Sequence, residues 1–360
     1  MRSYSCIALL AIACSTLDAG AADVVTLAGA GERRWFGDGG PAVSAGVAEP
    51  YGLDIGTDGA LYVCETVGHV IRRIDLKTGK ISTVVGTGMP GNDGDGGPAT
   101  SARIDQPYEV RFDADGNLYF VDMTQHVVRR VDAATRVITT IAGSGVEGFS
   151  GDGGPAVAAR LNRPHSICLD DSGRLYICDI GNHRIRSVEL ATGTIRTFGG
   201  NGERTATPDG APLDGTPLNG PRALAFDGDH SLFLVLREGN MVYRIDLDSR
   251  TLHHVAGTGR KGYSGDGGDA RLAEFFGPKG IALGPTGDVF VADTQNHVIR
   301  AIRRATGVIE TVFGDGHEGD GPDGPPRHCR LNDPHGVDVG PDGTVYVGDS
   351  ENHRVRAVAP

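Results

Sequence analysis

Apolar and polar positions alternate in short runs along this chain, and each run is closed by glycine, aspartate or proline. YGLDI, for example, leads through the turn TDGA into LYVCE. Short Val-, Ile-, Tyr- and Phe-rich runs between dense turn residues predict antiparallel hairpins. The order then repeats. A proline opens a run at Pro50, Pro107, Pro164, Pro221, Pro278 and Pro334, with four spacings of 57 residues and a last one of 56. The runs so opened read YGLDI, YEVRF, HSICL, RALAF, KGIAL and HGVDV. Each is followed by a second run (LYVCE, LYFVD, LYICD, LFLVL, VFVAD, VYVGD) and a third (HVIRRID, HVVRRVD, HRIRSVE, NMVYRID, HVIRAI, HRVRAV).

A fourth run, such as ISTVVG or ITTIAG, occurs only five times in these units, because the chain stops after the sixth third run. The missing copy is VVTLAG, whose Val24 lies 57 residues before Ile81. The expectation is therefore an all-β fold: a six-bladed β-propeller of four-stranded antiparallel blades, one domain over residues 23–360. The N-terminal strand completes the last blade, and such closure removes the sheet edges that would template aggregation.

The repeated elements, a proline-opened strand, a G-x-LYV-x-D hairpin and N-H-x-I-R-x-I-D, resemble the NHL repeat. Six of them imply a six-bladed NHL propeller, and the resemblance covers essentially all of 23–360. The fold so implied hosts binding modules and enzymes alike. PHSI and PHGV are also similar to the Pro-His strands of peptidylamidoglycolate lyases, six-bladed propellers that hold zinc with three histidines. Only His165 and His335 match that set, and the third histidine has no counterpart.

Composition narrows the function classes. The formal net charge is −12, which argues against a nucleic-acid partner, since that binding needs a basic face. The first residues, MRSYSCIALLAIACSTLDAGAAD, hold one arginine, an apolar run from Cys6 to Cys14 and a small-residue close. They read as a signal peptide over residues 1–22, and the run is too short to span a bilayer. The expected location is periplasmic or extracellular, with lipidation at Cys14 as the alternative. Cys64, Cys168, Cys178 and Cys329 form no C-x-x-C pair, which argues against a thiolate zinc site. Bridges Cys168–Cys178 or Cys64–Cys329 are allowed in an oxidising compartment.

The repeat serves as its own alignment for the histidines. His69, His126, His183, His297 and His353 recur in the third run. Each has an acid four residues before it (Glu65, Asp122, Asp179, Asp293, Asp349) and an arginine three after. A feature present five times serves the blade, and an acid–histidine pair locking each bend is expected. In contrast, the residue after each opening proline changes: Tyr51, Tyr108, His165, Arg222, Lys279 and His335. At the start of the innermost strand these face the channel mouth, as a ring with two fixed cations and two titratable ones, suited to an anion. Blade four departs from the repeat, with Leu236, Asn240 and Tyr243 in place of acid, histidine and arginine, and Arg237 and Glu238 in its bend. Arg237 joins the expected ligand-binding set, and the ligand is placed off-centre towards blades three to five.

The GDGGPA segments at Asp38, Asp95 and Asp152, with variants at Asp209, Asp266 and Asp323, read as glycine-permitted turns. They are expected to crowd the same face as the mouth. NDGDGG (92–97) raises calcium but lacks the closing bidentate acid. The loop with His317, Glu318, His328 and Cys329 reads as solvated.

Two functions follow. The first is a monomeric recognition module that binds an anionic small molecule, a glycan or a protein. The second is a lyase or hydrolase at the mouth, with His165 and His335 as zinc ligands or acid–base groups, Tyr51, Tyr108 or Glu109 moving protons, and Arg222 and Lys279 holding substrate charge.

Overall fold

The computed structural model describes residues 23–360, so the expected signal peptide and Cys14 lie outside the described residues. Six four-stranded antiparallel sheets form the ring. Blade one is Pro50–Ile55, Leu61–Glu65, Val70–Asp75 and Lys80–Val85. Blade six takes Gly336–Val339, Val345–Asp349 and Arg354–Val358 from the C-terminus, and its outer strand is Val25–Ala28. Val25 faces Ala357 and Thr26 faces Arg356 across that junction. Asp323 fastens it further, its carboxylate accepting from Thr26 N and Oγ1, each at 2.8 Å. The ring is closed. Apart from short 3₁₀ turns the described residues contain only strands and loops, and no helix among them is long and apolar enough to cross a membrane.

Each strand alternates one face towards the preceding blade and the other towards the following one, so the apolar core lies between blades. Leu224, Leu234 and Tyr243 of blade four pack on Tyr176 and Ile185 of blade three, and Val235 and Val242 pack on Ile281 and Val291 of blade five. Near the axis the inner strands meet backbone to backbone. A Cβ on Gly336 would stand 2.0 Å from the Tyr51 carbonyl oxygen, and one on Gly52 would stand 2.7 Å from the Glu109 Cα. Only glycine fits there.

The recurrent acid and histidine do not pair with each other as expected. The acid bonds inward. Glu65 accepts from Ala48 N at 2.8 Å and from Arg72 Nη1 at 2.9 Å, both side chains being fully buried. Asp349 does the same with Asn332 N and Arg356 Nε. The histidine itself stands in the left-handed region, φ 50 to 55° in all five copies, and reaches the next blade. His126 Nδ1 accepts from Arg163 N, His183 Nδ1 from Gly220 N and His297 Nδ1 from Asp333 N, at 3.0 to 3.2 Å. Each acceptor therefore holds the residue just before the next opening proline, and those residues (Glu49, Gln106, Arg163, Gly220, Gly277, Asp333) are themselves left-handed. A left-handed residue before proline is costly in isolation, and before blades three, four and six an imidazole stabilises it by satisfying its N–H, whereas His69 Nδ1 and His353 Nδ1 make no such bond.

Blade four keeps the geometry with other chemistry. Asn240 has φ 49° and its Oδ1 accepts from Gly277 N at 2.9 Å. Tyr243 fills the arginine seat, its hydroxyl donating to Thr207 O.

The GDGGPA segments run beside the outer strands of the blades. Asp95 accepts from Arg129 Nη2 at 2.6 Å and from Thr140 N at 2.8 Å, on the third and fourth strands of blade two. Gly96 N and Ala99 N donate to Ile138 O and Arg136 O. These segments brace the outer half of the blades. Their aspartates bond buried arginines and backbone N–H groups, and among the described residues no group of three or more acids or histidines stands ready for a cation. All four described cysteines are free and buried, because Cys64 and Cys329 sit in different inter-blade cores and Cys168 and Cys178 lie within one apolar cluster without joining.

Candidate functional site

A cavity of about 390 Å³ opens at the channel mouth and spreads outward over blades three and four. All seven residues expected in the ligand-binding set line it: Tyr51, Tyr108, His165, Arg222, Arg237, Lys279 and His335. Glu238 of the blade-four bend lines it with Arg237, and so do Arg163, Arg204 and His183, which sequence reasoning did not place there. Arg163 could have been found by the same internal alignment, one seat earlier, where Glu, Gln, Arg, Gly, Gly and Asp alternate. Arg204 carried no such signal, since it stands in the proline-rich loop before blade four, NGERTATPDGAPLDGTPLNGP, where no other blade offers an aligned arginine.

The floor is aromatic. Tyr51 stacks on His335 with ring centroids 3.8 Å apart and planes 16° from parallel. Tyr108 meets Tyr51 and His165 edge-on at 4.7 and 4.5 Å. The Arg222 guanidinium lies 4.6 Å over the Tyr108 ring, and Nη2 donates to its hydroxyl at 3.0 Å. Such stacking fixes the plane of the guanidinium and leaves further N–H groups for a ligand.

Both site histidines are oriented by the turns before them. His165 Nδ1 donates to Arg163 O at 2.7 Å, and His335 Nδ1 donates to Asp333 O at 2.8 Å. The proton is thereby placed on Nδ1 and the Nε2 lone pair is left for other partners. For His335 that partner is Lys279, whose Nζ lies 2.7 Å from Nε2. The recurrent histidine of one blade thus sets the turn that sets the site histidine of the next.

The electrostatics differ from the expected ring of two fixed and two titratable cations. Burial, followed by the charge of Arg222, holds His165 well below the usual imidazole range. Burial and the charges of Lys279 and Arg222 do the same for His335. Both are neutral at pH 7. The titratable cation is Lys279, brought down to about 7 by burial and then by Arg222. Burial raises the phenols of Tyr51 and Tyr108, so neither ionises near neutrality. Fixed positive charge comes from Arg163, Arg204, Arg222 and Arg237. The single carboxylate on the wall, Glu238, is spent on Arg237 at 2.6 Å.

Glu109 does not belong to this site. It occupies the seat that is Gly52 in blade one, lies against the inner-strand backbone, and pairs with Arg111 Nη1 at 2.6 Å inside the channel. A proton acceptor at the mouth must be another group. The zinc reading of His165 and His335 does not fit either. His335 Nε2 faces the lysine nitrogen, the positive charge of Arg222 bears on both rings, and the one carboxylate among the described lining residues, Glu238, is paired with Arg237. Among the described residues no group of three or more His, Cys, Asp and Glu could hold a metal. In the loop before blade six, His317 is exposed, while Cys329 is buried with its thiol directed to Gly321 O.

Comparison with known proteins agrees with this architecture. Residues 161–186 and 331–357 match the NHL repeat family. The chain is 32% identical over 189 residues, 49% of its length, to NHL repeat-containing protein 2 of Bos taurus, of which those residues are 26%. It is 26% identical over 291 residues, 76% of its length, to the chloroplastic protein SUPPRESSOR OF QUENCHING 1 of Arabidopsis thaliana, of which they are 27%. The chain thus spans only about a quarter of each of these relatives. An auxiliary nutrient-binding protein from Bacteroides ovatus has the same fold, with a TM-score of 0.69 at 17% identity over 94% of this chain and 76% of that one. The chain is a six-bladed propeller that carries NHL repeats at residues 161–186 and 331–357.

Proposed function

We propose that this NHL-repeat propeller is an exported, monomeric ligand-binding protein that takes an anionic small molecule at its channel mouth. The observation that carries the reading is the wall of the cavity. Four arginines and a lysine face a volume of about 390 Å³ with one, already paired, carboxylate, in a chain whose net charge is −12. Concentrating cations against the sign of the whole protein is expensive unless an anion is taken up there. The aromatic floor favours a ligand with a flat or apolar face beside its charge. The fold neighbour that binds nutrients supports a scaffold of this kind, and the apolar N-terminal run supports export.

The test is calorimetric titration of the protein with a panel of mono- and dicarboxylates, phosphate esters and sulfate esters. At least one class is expected to bind. Binding should weaken about 10- to 100-fold in Arg222→Met, the scale of a lost charge-assisted bidentate contact, and weaken with added salt. Binding that ignores both the substitution and salt would overturn the proposal.

The His165 Nε2 lone pair favours a second reading. The ring is neutral, its Nδ1 proton is engaged by Arg163 O, and Nε2 has no hydrogen bond among the described residues, so it can take a proton from a bound ligand as a lyase base would. A ligand that binds, and leaves altered in the wild type but unaltered with His165→Gln, would establish it.

A further inference from the structure

The wall of the cavity holds one amine. Lysine is scarce in this chain: Lys77, Lys80, Lys261 and Lys279 are the whole set. The first three are exposed. Lys279 is half-buried at the mouth, and Nζ approaches His335 Nε2 at 2.7 Å. His335 presents a lone pair there because its proton is fixed on Nδ1 by Asp333 O. The imidazole therefore accepts from the amine, and is held flat against Tyr51 while it does so. The charged groups around the amine are Arg222 and Arg237, which oppose its protonation, and Asp333 and Glu351, which favour it. Burial and the arginines prevail.

A structural role would leave the lysine as a cation bonded to a carboxylate or to carbonyl oxygens. Among the described residues none hydrogen-bonds the amine, whose one side-chain partner there is the neutral ring. Resting on the anion-binding reading above, we propose that Lys279 is a carbonyl-reactive amine that captures an aldehyde or ketone bearing a carboxylate as a reversible imine. His335 Nε2 accepts a proton from Nζ, and the freed nitrogen pair attacks the carbonyl carbon. A C–N bond forms, and the carbonyl oxygen takes a proton from that nitrogen to give a carbinolamine. The hydroxyl takes the proton held on His335 Nε2 and leaves as water while the nitrogen pair closes the C=N bond, so the imine forms protonated and the imidazole ends neutral. No oxidant or other reactant is required. Arg222, fixed over Tyr108, supplies the fork for the ligand's carboxylate.

The experiment treats the full protein with glyoxylate and sodium cyanoborohydride at pH 7 and maps the reduced adduct by peptide mass spectrometry. Oxalate, which has no reactive carbonyl, is titrated calorimetrically in parallel. Lys279 is expected to be modified at least about 10-fold faster than Lys77, Lys80 or Lys261, which serve as ordinary amines in the same sample. Oxalate should slow Lys279 alone, and Arg222→Met should bring Lys279 down to the rate of the others. Equal labelling of all four lysines, or none at Lys279, with oxalate still bound would overturn the imine and leave the anion site standing. Equal labelling with no oxalate bound would remove both for this ligand class. Because the comparison is internal to the wild-type protein, it stands even if Lys279→Met does not fold.

Discussion

Blade four offers a built-in double substitution that can be copied into blade one. Glu65 and Arg72 are fully buried and bonded to each other at 2.9 Å, whereas their counterparts Leu236 and Tyr243 are apolar or neutral and equally buried. Changing Glu65→Leu alone strands a buried guanidinium, and Arg72→Tyr alone strands a buried carboxylate. Breaking a buried pair from one side costs about 3–5 kcal/mol. Making both changes removes both charges. The tyrosine hydroxyl should then find Phe36 O, to which Arg72 Nη2 points at 3.5 Å, as Tyr243 finds Thr207 O. What is lost for good is the acceptor of Ala48 N, and Asp38 is left to water; an unsatisfied backbone donor costs about 1–3 kcal/mol. Two singles of about 3 kcal/mol each against a double of about 2 kcal/mol give a coupling of about 4 kcal/mol. The assay is urea unfolding of the four proteins, with midpoints compared at constant slope. If the double variant is destabilised by the sum of the singles, the two departures in blade four are not a matched replacement, and the reasoning fails.

Two further outcomes are expected. Burial lifts the Glu65 carboxyl to about 7 although Arg72 pulls it down, so the folded state binds the proton more tightly than the unfolded chain does. That contribution is complete below the unfolded value of roughly 4.3 and is lost as pH rises through 7. Unfolding free energy measured relative to Glu65→Gln should therefore fall between pH 4.5 and 8, and a flat or rising difference would refute the assignment. Ring closure predicts that Asp323→Ala, which releases Thr26 N, Thr26 Oγ1 and Arg356 Nη1, raises amide exchange in Val25–Ala28 and in Arg354–Val358 together. Faster exchange confined to Val25–Ala28 would mean that the N-terminal strand is not needed to hold the last blade.

Repetition made much of this molecule legible without coordinates. A step of 57 residues reports that two segments hold equivalent seats about one axis. From that alone followed the blades, the closure by Val24–Gly29, and the ring of Tyr51, Tyr108, His165, Arg222, Lys279 and His335. Arg237 was found because it stands where the pattern breaks. Periodicity says which seat a residue holds, and not what its side chain meets there. Glu109 had a seat beside the mouth, yet Arg111, two residues on, draws it into the channel. The acids, expected to bond the histidines near them in sequence, turn elsewhere, Glu65 and Asp349 to an arginine across the blade, while His126, His183 and His297 bond the next blade's turn.

Charge state was decided wholly by the tertiary structure. Nothing in PHSI, PKGI or PHGV shows that two imidazoles are neutral and one ammonium is close to losing its proton. Those properties arise because blades three to six, joined only through distant sequence, bring Arg222, Lys279 and two histidines into one poorly hydrated mouth. Desolvation and like-charge repulsion act over a few ångströms in space, and a repeat read along the chain carries no record of those distances.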